Sequence, residues 1–397
     1  MKVLVINAGS SSMKYQLIET TTECAIAKGV VDRVGQKISS IVHKGNGKEY
    51  RRDDLKIPTH TEAVKTVLDA LVNDEYGVIK SIDEIEAVGH RVVHGAEDFT
   101  ESALITSDTM EKIKNNIDLA PIHQPSNIIG IEACQKVLPK APAVAVFDTT
   151  FHSTIPNYAY MYAIKYEDYK NIRLRRYGFH GTSHMFITGE LKKLYGKDVK
   201  AIICHLGNGA SVSAVKDGKC IDTSMGLTPL EGLVMGTRCG DIDPGAIEYI
   251  AEKTGKTAKE VTNYLNKECG VMGISGVSSD FRDIDKAVAE GNQRAQLAIS
   301  MAAYRVKKYI GAYAAALGGL DCLVFTGGVG EHNPIVRGSS IEGLEFLGIE
   351  VKKELNHAVI GCDAPTKISH GKTDVYVIPT NEELVIARET FRLAKNS

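Results

Sequence analysis

The sequence lacks an excess of charge of either sign. Its 47 Lys and Arg residues are balanced by 49 Asp and Glu residues, which leaves a formal net charge of −2. Such a chain has no broad basic field, so nucleic acid and anionic membranes are not expected as its main partners. The eight cysteines are scattered and form no Cys-x-x-Cys pair. This argues against a zinc site or a disulfide framework and favours reduced thiols.

Segments that would target the chain to a membrane are also missing. No apolar run is long enough to span a bilayer. The first residues lack the basic, apolar and small-residue zones of a signal peptide, and residues 2–6 instead predict a buried strand. We therefore expect a cytoplasmic protein. At 397 residues the chain exceeds what one hydrophobic core usually spans, which predicts two domains.

Two familiar phosphate-binding sequences are absent. The Gly-Lys-Thr triplets at 255–257 and 371–373 both lack the upstream glycine of a Walker A motif, and no Gly-x-Gly-x-x-Gly follows a predicted strand. Instead, glycine-containing turns follow three apolar runs, at 2–6, 201–204 and 321–325. Ligands bind at the carboxyl ends of strands in open α/β sheets, and small turns let backbone N–H groups approach an anion. These turns therefore predict a nucleotide site that uses neither a Walker A motif nor a Gly-x-Gly-x-x-Gly motif.

The strand and turn at the start of the chain recur near its middle. Asn-Ala-Gly-Ser-Ser-Ser-Met-Lys at 7–14 and His-Leu-Gly-Asn-Gly-Ala-Ser at 205–211 each join an apolar strand to a second strand. Asp217-Gly218 predicts the turn that follows the second copy. Strands alternate with amphipathic helices, which predicts α/β sheets with covered faces. A long helix is expected at 289–317, ending at Gly318, and a capping box from Thr380 to Glu383 predicts the start of the last helix.

These motifs resemble those of the acetate kinase family. Phe-His-Gly-Thr-Ser-His at 179–184, Gly-Thr-Arg-Cys-Gly-Asp-Ile-Asp-Pro-Gly at 236–245 and Gly-Gly-Val-Gly-Glu at 327–331 also match, and the resemblance extends from residue 3 to about residue 390. It implies two duplicated ribonuclease H-like α/β domains of the actin, Hsp70 and sugar kinase type, with the active site in the cleft between them. The expected domains are 1–150 with 382–397, and 151–381.

The resemblance also implies a reaction. The family transfers a phosphoryl group from ATP to acetate, reversibly and directly, giving acetyl phosphate and ADP. Mg²⁺ is the expected cofactor, with Mn²⁺ as a substitute, and the expected assembly is a homodimer. Asn7 and Glu382 match the family's magnesium ligands; hard oxygen donors of this kind suit Mg²⁺.

Five side chains match the family's catalytic residues: Arg91, His123, Asp148, His180 and Arg238. The match to Arg91 binds the carboxylate or phosphoryl group, and the matches to Arg238 and His180 stabilise a transition state whose charge lies on the equatorial phosphoryl oxygens. His123 is expected to donate to the phosphoryl group. The family treats Asp148 as a proton donor or acceptor. Because acetate is already ionised near neutral pH, we expect Asp148 instead to position Mg²⁺ through water or to orient an arginine.

The remaining matches line the substrate and nucleotide sites. The apolar pocket for the methyl group is expected from Val93, Ile122, Phe179 and Pro229. The segments expected to contact ATP supply the following residues: Ser10, Ser12, Lys14, His205, Leu206, Gly207, Asn208, Gly209, Asp280, Phe281, Arg282, Gly328, Val329, Gly330, Glu331 and His332.

Three alternatives remain at this point. His180 and His184 have the i, i+4 spacing of zinc ligands, although no Glu lies between them and the segment is loop-like. A propionate or other short-chain acyl kinase on the same scaffold is the nearest rival, because one methylene changes pocket binding by only ~1–3 kcal/mol. Where the family commonly has Leu, Asn and Asn, this sequence has Ile122, Gln124 and His332. The third alternative is an ATPase of the Hsp70 or actin kind, which needs no arginine pair.

Overall fold

The computed structural model describes residues 1–395. The chain folds into two compact units. The first contains Met1–Phe151 and the C-terminal helix from Asn381 onwards, and the second contains His152–Thr380. Within residues 1–395, none of the helices combines the length and apolar character needed to cross a bilayer.

Within residues 1–395, fourteen strands form the two sheets. In chain order they are β1 (Lys2–Ala8), β2 (Ser12–Glu19), β3 (Cys24–Asp32), β4 (Ser39–Gly45), β5 (Lys48–Leu55), β6 (Ala87–Val92), β7 (Ala103–Leu104), β8 (Ala143–Phe147), β9 (Ala201–Leu206), β10 (Ala210–Lys216), β11 (Lys219–Thr223), β12 (Cys322–Thr326), β13 (Thr366–Lys367) and β14 (Asp374–Val377).

In the described part of the chain, fifteen α-helices are distributed around these sheets. They are α1 (His60–Leu71), α2 (Ser107–Asn115), α3 (Gln124–Val137), α4 (Asn157–Tyr160), α5 (Tyr166–Ile172), α6 (Gly181–Tyr195), α7 (Pro244–Thr254), α8 (Ala258–Lys267), α9 (Gly270–Ser275), α10 (Phe281–Ala289), α11 (Gln293–Leu317), α12 (Gly327–His332), α13 (Pro334–Ile341), α14 (Lys353–Ala358) and α15 (Glu382–Ala394). Short 3₁₀ helices occur at Ile82–Glu84, Ile117–Leu119, Thr150–Thr154 and Glu345–Leu347.

Each unit contains one mixed sheet, and the two sheets share a five-strand pattern. The first sheet has the order β5-β4-β3-β2-β1-β6-β8-β7, and the second has the order β11-β10-β9-β12-β14-β13. In both, three consecutive antiparallel strands are followed by two parallel strands: β6 pairs with β1 and β8 pairs with β6 in the first sheet, and β12 pairs with β9 and β14 pairs with β12 in the second. The repeated pattern confirms the predicted fold class of two duplicated α/β sheets.

The apolar runs of the sequence form the centres of these sheets. Every residue of β8, β9 and β12 is buried, as expected for strands with helices on both faces. In the first unit, α3 approaches β1 so closely that a Cβ on Gly130 would lie 2.5 Å from the Ala8 side chain. A glycine at this position therefore lets α3 sit directly behind the first hairpin.

Local turn chemistry was predicted with mixed success. Asp217 and Gly218 adopt positive φ angles of 53° and 73°, which confirms the predicted hairpin turn. The long helix α11 ends at Gly318 as expected, but it begins at Gln293 instead of residue 289, because Asn292 caps its N-terminus. The capping box at Thr380 was wrong: the side chain of Asn381 caps α15 by accepting the N–H of Leu384.

The boundaries of the glycine-containing turns also differ from expectation. Asn7 does not break the first strand, because β1 continues through Ala8. The turn after β12 is the short helix α12, entered through Gly327 at a φ of 77°. A Cβ on Gly327 would lie 2.8 Å from the carbonyl oxygen of Leu206, so this position favours glycine for both conformation and space.

Candidate active site

The first hairpin gathers the predicted phosphate and magnesium residues at one end of the first sheet. Asn7 on β1 lies directly opposite Lys14 on β2, so both side chains are on the same face. The N–H of Gly9 donates to the carbonyl of Ser12 (2.8 Å), and His60 Nε2 donates to the carbonyl of Gly9 (2.8 Å). The turn is therefore held by the first residue of α1, while Lys14 remains exposed.

Arg91 and Asp148 form a bidentate ion pair at the ends of two parallel strands. Arg91 Nε donates to Oδ1 of Asp148 (2.9 Å), and Nη2 donates to Oδ2 (2.6 Å). Asp148 is 1% exposed and the Arg91 side chain is 25% exposed. The negative charge of Asp148 raises the pKa of Arg91 above its usual range, with further contributions from Glu382 and Glu383. The guanidinium is fixed in orientation, with one side still open to solvent.

The acidic residues at the start of α15 lie in the electrostatic field of this pair. Burial raises the pKa of Glu383, and the charges of Lys14 and Arg91 act in the opposite direction. Glu382, Asn7 and the exposed hairpin hydroxyls offer hard oxygen donors. Within residues 1–395 no group of three or more His, Cys, Asp or Glu side chains is arranged to hold a metal. The donors present fit Mg²⁺, which takes few protein ligands and completes its shell with water and phosphate.

The predicted acyl-pocket and histidine residues of the first unit are positioned by α3. Asn127 on α3 accepts the N–H of Val93 (3.0 Å) and donates to the carbonyl of Ala8 (3.1 Å). It therefore ties the end of β6 to the end of β1. Val93 is buried, Ile122 is 56% exposed, and His123 caps the N-terminus of α3.

In the second unit, Arg238 and His180 converge on the turn between β9 and β10. A Cβ built on Gly209 would lie 3.4 Å from both Arg238 Nη1 and His180 Nε2. The N–H of Gly207 donates to the carbonyl of Gly209 (3.0 Å), which closes the turn. Two of the predicted catalytic groups are thus brought to one hairpin that is predicted to bind phosphate, although they are far apart in sequence.

Arg238 is a desolvated cation. Burial lowers its pKa, and across residues 1–395 no carboxylate lies within 4 Å of its guanidinium. Its Nη1 atom donates only to the carbonyl of Pro229 (3.3 Å) and weakly to the sulfur of Met235 (3.9 Å). Arg238 is half-buried, and a partly desolvated charge without a counter-ion is costly. This arrangement is typical of a group that receives an anionic ligand.

His180 occupies a strained position and is held by a neighbouring hydroxyl. It precedes α6 with a φ of 58°, in the left-handed region that few non-glycine residues adopt. Its Nδ1 lies 3.0 Å from Ser211 Oγ, and His184 Nε2 lies 2.8 Å from the same oxygen. Burial lowers the pKa of His184 well below its usual value, so that ring is neutral. If His184 donates to Ser211 and Ser211 donates to Nδ1 of His180, then Nδ1 is an acceptor and the Nε2 atom, which faces Gly209, carries a proton.

We expect Ser211→Ala to lower kcat about tenfold, the cost of one buried hydrogen bond that orients a catalytic ring. The KM values for both substrates should stay within about twofold, because Ser211 is not placed in a binding role. Steady-state kinetics measures both quantities. Ser213→Ala is the matched control, since Ser213 is on the same strand and its hydroxyl lies 2.9 Å from that of Thr223 across the sheet. An equal loss of kcat in both variants would contradict this role for Ser211.

The predicted acyl-pocket residues of the second unit lie beside polar groups that hold their segments in place. Phe179 is 2% exposed, and its carbonyl accepts the Nε2–H of His152 (2.8 Å). Burial lowers the pKa of His152 to about 4, so this histidine is neutral near pH 7. The loop that carries Pro229 is tied down by the ion pair between Arg176 and Glu231.

Three segments predicted to contact the nucleotide contribute residues to one cavity of about 590 Å³ in the second unit. Its walls are Gly207, Asn208, Ser279, Asp280, Phe281, Arg282, Asp285, Gly328, Val329, His332, Asn333 and Ile360. Glu331 is not among them: its Oε1 accepts the N–H groups of Gly327 (2.9 Å) and Thr380 (3.2 Å). His205, Leu206, Gly209 and Gly330 also lie outside the cavity lining. Their nucleotide contacts stay predictions.

A larger cavity of about 720 Å³ borders α13 and α14 and contains none of the predicted site residues. The structure also reveals residues that the sequence analysis missed and that hold their neighbours through side-chain hydrogen bonds, namely Asn127, Ser211 and Asp285. Ser211 belongs to the motif at 205–211, but its bonds to α6 could not be read from that motif.

Comparison with known proteins places the chain in a family. The family model described as the Acetokinase family matches residues 2–388. An acetate kinase of Thermoanaerobacterium thermosaccharolyticum is 54% identical, with complete coverage of both chains. Crystal structures of Porphyromonas gingivalis acetate kinase (45% identity, TM-score 0.94) and of a propionate kinase from Francisella tularensis (42%, 0.93) each cover 99% of both chains. The chain therefore belongs to the acetokinase family.

Proposed function

We propose that this protein is an acetate kinase, which transfers a phosphoryl group from ATP to acetate. The observation that carries the proposal is the convergence of Arg238, without a carboxylate partner, and His180 on the Gly209 turn. Full-length curated relatives that are 50–54% identical are named acetate kinase. A propionate kinase is not favoured, because the solved structure with that name is 42% identical, whereas the curated relatives named acetate kinase are 50–54% identical.

In the proposed reaction, a carboxylate oxygen of acetate attacks the γ-phosphorus of ATP. A new P–O bond forms as the bond to the β,γ-bridging oxygen breaks, and ADP leaves with that electron pair. No proton is transferred, since acetate is ionised and ADP leaves as an anion. Arg91 holds the acetate carboxylate, while Arg238 and His180 donate to the phosphoryl oxygens as negative charge spreads over them. His123 donates to the phosphoryl group as well.

Asp148 acts on this reaction through Arg91. The bidentate pair fixes the guanidinium fork, which favours the orienting role over the metal-positioning role. Asn7 and Glu382 would hold Mg²⁺, which when bound neutralises the phosphate oxygens of ATP. Ser10, Ser12 and Lys14 contact these phosphates.

The proposal is tested by incubating the protein with ATP, Mg²⁺ and acetate, propionate or butyrate, and trapping acyl phosphate with hydroxylamine. We expect acetate to have the highest kcat/KM and propionate to fall about 10- to 100-fold below it, the value of one methylene in an apolar pocket. If no acyl phosphate forms with any of the three acids, the result would contradict the kinase proposal and favour an ATPase. A higher kcat/KM for propionate would make the protein a propionate kinase.

We further propose a cytoplasmic protein with two acetokinase domains, 1–150 with 382–397 and 151–381. All eight cysteines are unbridged, which supports a reducing compartment.

A homodimer is proposed from the family resemblance, and α11 supplies a surface for it. Leu297, Met301 and Tyr304 recur on one face of α11 and are 52%, 41% and 61% exposed. We expect sedimentation velocity to show a dimer for the natural chain and a monomer for Leu297→Asp, because a carboxylate would be buried among apolar groups. Gln296→Asp, on an adjacent exposed position, is the control and should stay dimeric. A monomeric natural chain would contradict the proposal.

A further inference from the structure

The segment Gly232–Asp241, here named the Arg238 loop, is closed at its two ends. The N–H of Asp241 donates to the carbonyl of Gly232 (3.0 Å), and the N–H of Gly232 donates to Oδ1 of Asp241 (2.8 Å). Gly240 has a φ of 72°, and a Cβ there would lie 2.5 Å from the carbonyl oxygen of Gly232. The backbone of the Arg238 loop is therefore fixed where the chain enters it and where the chain leaves it.

The carboxylate of Asp241 also ties these closed ends to α11. Arg305 Nη1 lies 2.9 Å from Oδ2 of Asp241, and the hydroxyl of Tyr309 donates to the same oxygen (3.0 Å). Arg305 and Tyr309 have the i, i+4 spacing that places both on one side of α11. Burial and the charge of Asp241 raise the pKa of Tyr309, so its hydroxyl stays protonated as a donor. One carboxylate thus joins both ends of the loop to a long helix.

Arg238 needs such an anchor, because within residues 1–395 no carboxylate lies within 4 Å of its guanidinium. Arg91 is oriented directly by its bidentate pair with Asp148. A carboxylate bound in that way to Arg238 would compete with the transferred phosphoryl group for the same donors. Arg238 is held through its backbone instead, since its carbonyl accepts the N–H of Met235 (3.0 Å) inside the loop. The conformation of the loop therefore decides where the guanidinium lies.

The middle of the Arg238 loop packs against two other elements of the second unit. The N–H of Gly236 donates to the carbonyl of Asn208 (3.0 Å), in the turn between β9 and β10. A Cβ on Gly270 would lie 2.8 Å from the carbonyl oxygen of Arg238 and 2.9 Å from its backbone nitrogen, so α9 touches the backbone of Arg238. The β9–β10 turn and α9 thus hold the middle of the loop, while α11 holds its ends through Asp241.

We propose that Asp241 is a positioning residue, which fixes Arg238 for catalysis by tying both ends of the Arg238 loop to α11. This inference rests on the proposed function of Arg238 in phosphoryl transfer. Asp241 acts through the loop, because its carboxylate accepts from the N–H of Gly232 and from two side chains of α11. A misplacement of about 1 Å at a catalytic group can cost about 10²-fold in rate, so the loss of this anchor will be seen in kcat.

Substitutions of the anchor test the proposal through the split between kcat and KM. We expect Asp241→Ala to lower kcat about 10- to 100-fold, with the KM values for ATP and acetate within about twofold of the natural values. Asp241→Asn keeps an acceptor for the N–H of Gly232 and should restore kcat to within about threefold. Tyr309→Phe removes one donor, should cost about threefold, and keeps the test valid if Asp241→Ala does not fold. An unchanged kcat in the variants that fold would overturn the inference.

Asp243→Ala is the matched control. Asp243 lies just beyond the loop, and its Oδ1 accepts the N–H of Gly245 (2.9 Å) as the N-cap of α7. This variant loses a carboxylate that accepts a backbone N–H, as Asp241→Ala does, but the lost bond belongs to α7. We expect the natural kcat and a modestly lower melting temperature. A loss of kcat equal to that of Asp241→Ala would overturn the inference.

A double-mutant cycle shows whether Asp241 acts through Arg238. In the Arg238→Ala background, Asp241→Ala should lower kcat by less than about twofold, because no guanidinium is left to be misplaced. If the two losses multiply instead, Asp241 affects the reaction independently of Arg238 and the inference is wrong.

Amide hydrogen exchange without substrates separates this inference from the kinase proposal. In Asp241→Ala the N–H of Gly232 loses its acceptor, so the amides of the Arg238 loop should exchange about tenfold faster, while those of β9 should not change. Unchanged exchange in the loop would overturn the inference. If exchange in the loop rises but the natural protein forms no acyl phosphate, the result supports the anchor and contradicts only the kinase proposal.

Discussion

Replacing Arg238 with alanine will lower kcat by about 10³-fold or more while leaving the protein folded. A guanidinium that meets the phosphoryl group in the transition state is worth about 10³–10⁵ in rate. Because Arg238 has no carboxylate within 4 Å among the described residues, its removal leaves no opposite charge unpaired. We therefore expect the melting temperature to be unchanged or slightly higher. Acetyl phosphate formation and calorimetry measure the two effects.

Arg52→Ala is the matched control for Arg238. Its side chain is 52% exposed on β5 and pairs only with Asp54, so kcat should stay within about twofold of the natural value. The Kd for Mg-ADP of Arg238→Ala should also be little changed, since the lost contact belongs to the transferred group. A full loss of Mg-ADP binding, or a kcat within tenfold of normal, would contradict a transition-state role.

Replacing Asp148 with asparagine will raise the KM for acetate and lower kcat/KM about 100-fold, without changing the Mg²⁺ concentration needed for half-maximal activity. Arg91 loses the bidentate partner that holds its fork. Breaking a fully buried pair costs about 3–5 kcal/mol. Here we expect about 2 kcal/mol of lost stability, because a quarter of Arg91 reaches solvent and asparagine keeps one acceptor.

The two roles left open for Asp148 give different results in this experiment. If Asp148 positions Mg²⁺ through water, the half-maximal Mg²⁺ concentration will rise and the KM for acetate will not. Asp108→Asn is the control: Asp108 pairs with Lys112 on the exposed face of α2, and its loss should cost about 0.5 kcal/mol at most. Near-normal kcat/KM in Asp148→Asn would contradict both roles.

The sequence by itself determined the features that depend on neighbouring residues. Continuous apolar runs predicted the buried strands β9 and β12, because a strand with both faces covered needs no polar alternation. Asp217-Gly218 and Gly318 predicted a turn and a helix end, because those residues tolerate positive φ at little cost. The motifs were long enough to identify the family, which the full-length comparisons confirmed.

Only the tertiary structure decided which polar atoms meet. Asn381 rather than Thr380 caps α15, and the N–H of Thr380 is bonded to Glu331. This choice depends on a residue from another element, which local spacing does not encode.

The same reason explains the residues that the sequence analysis missed. Ser211 reaches His180 across 31 positions, Asp285 reaches Asn333 across 48, and Asn127 reaches Ala8 across 119. Each is an ordinary polar residue in its own segment. Its role arises because folding buries it beside a specific partner, where an unmade hydrogen bond would be costly and a made one fixes geometry.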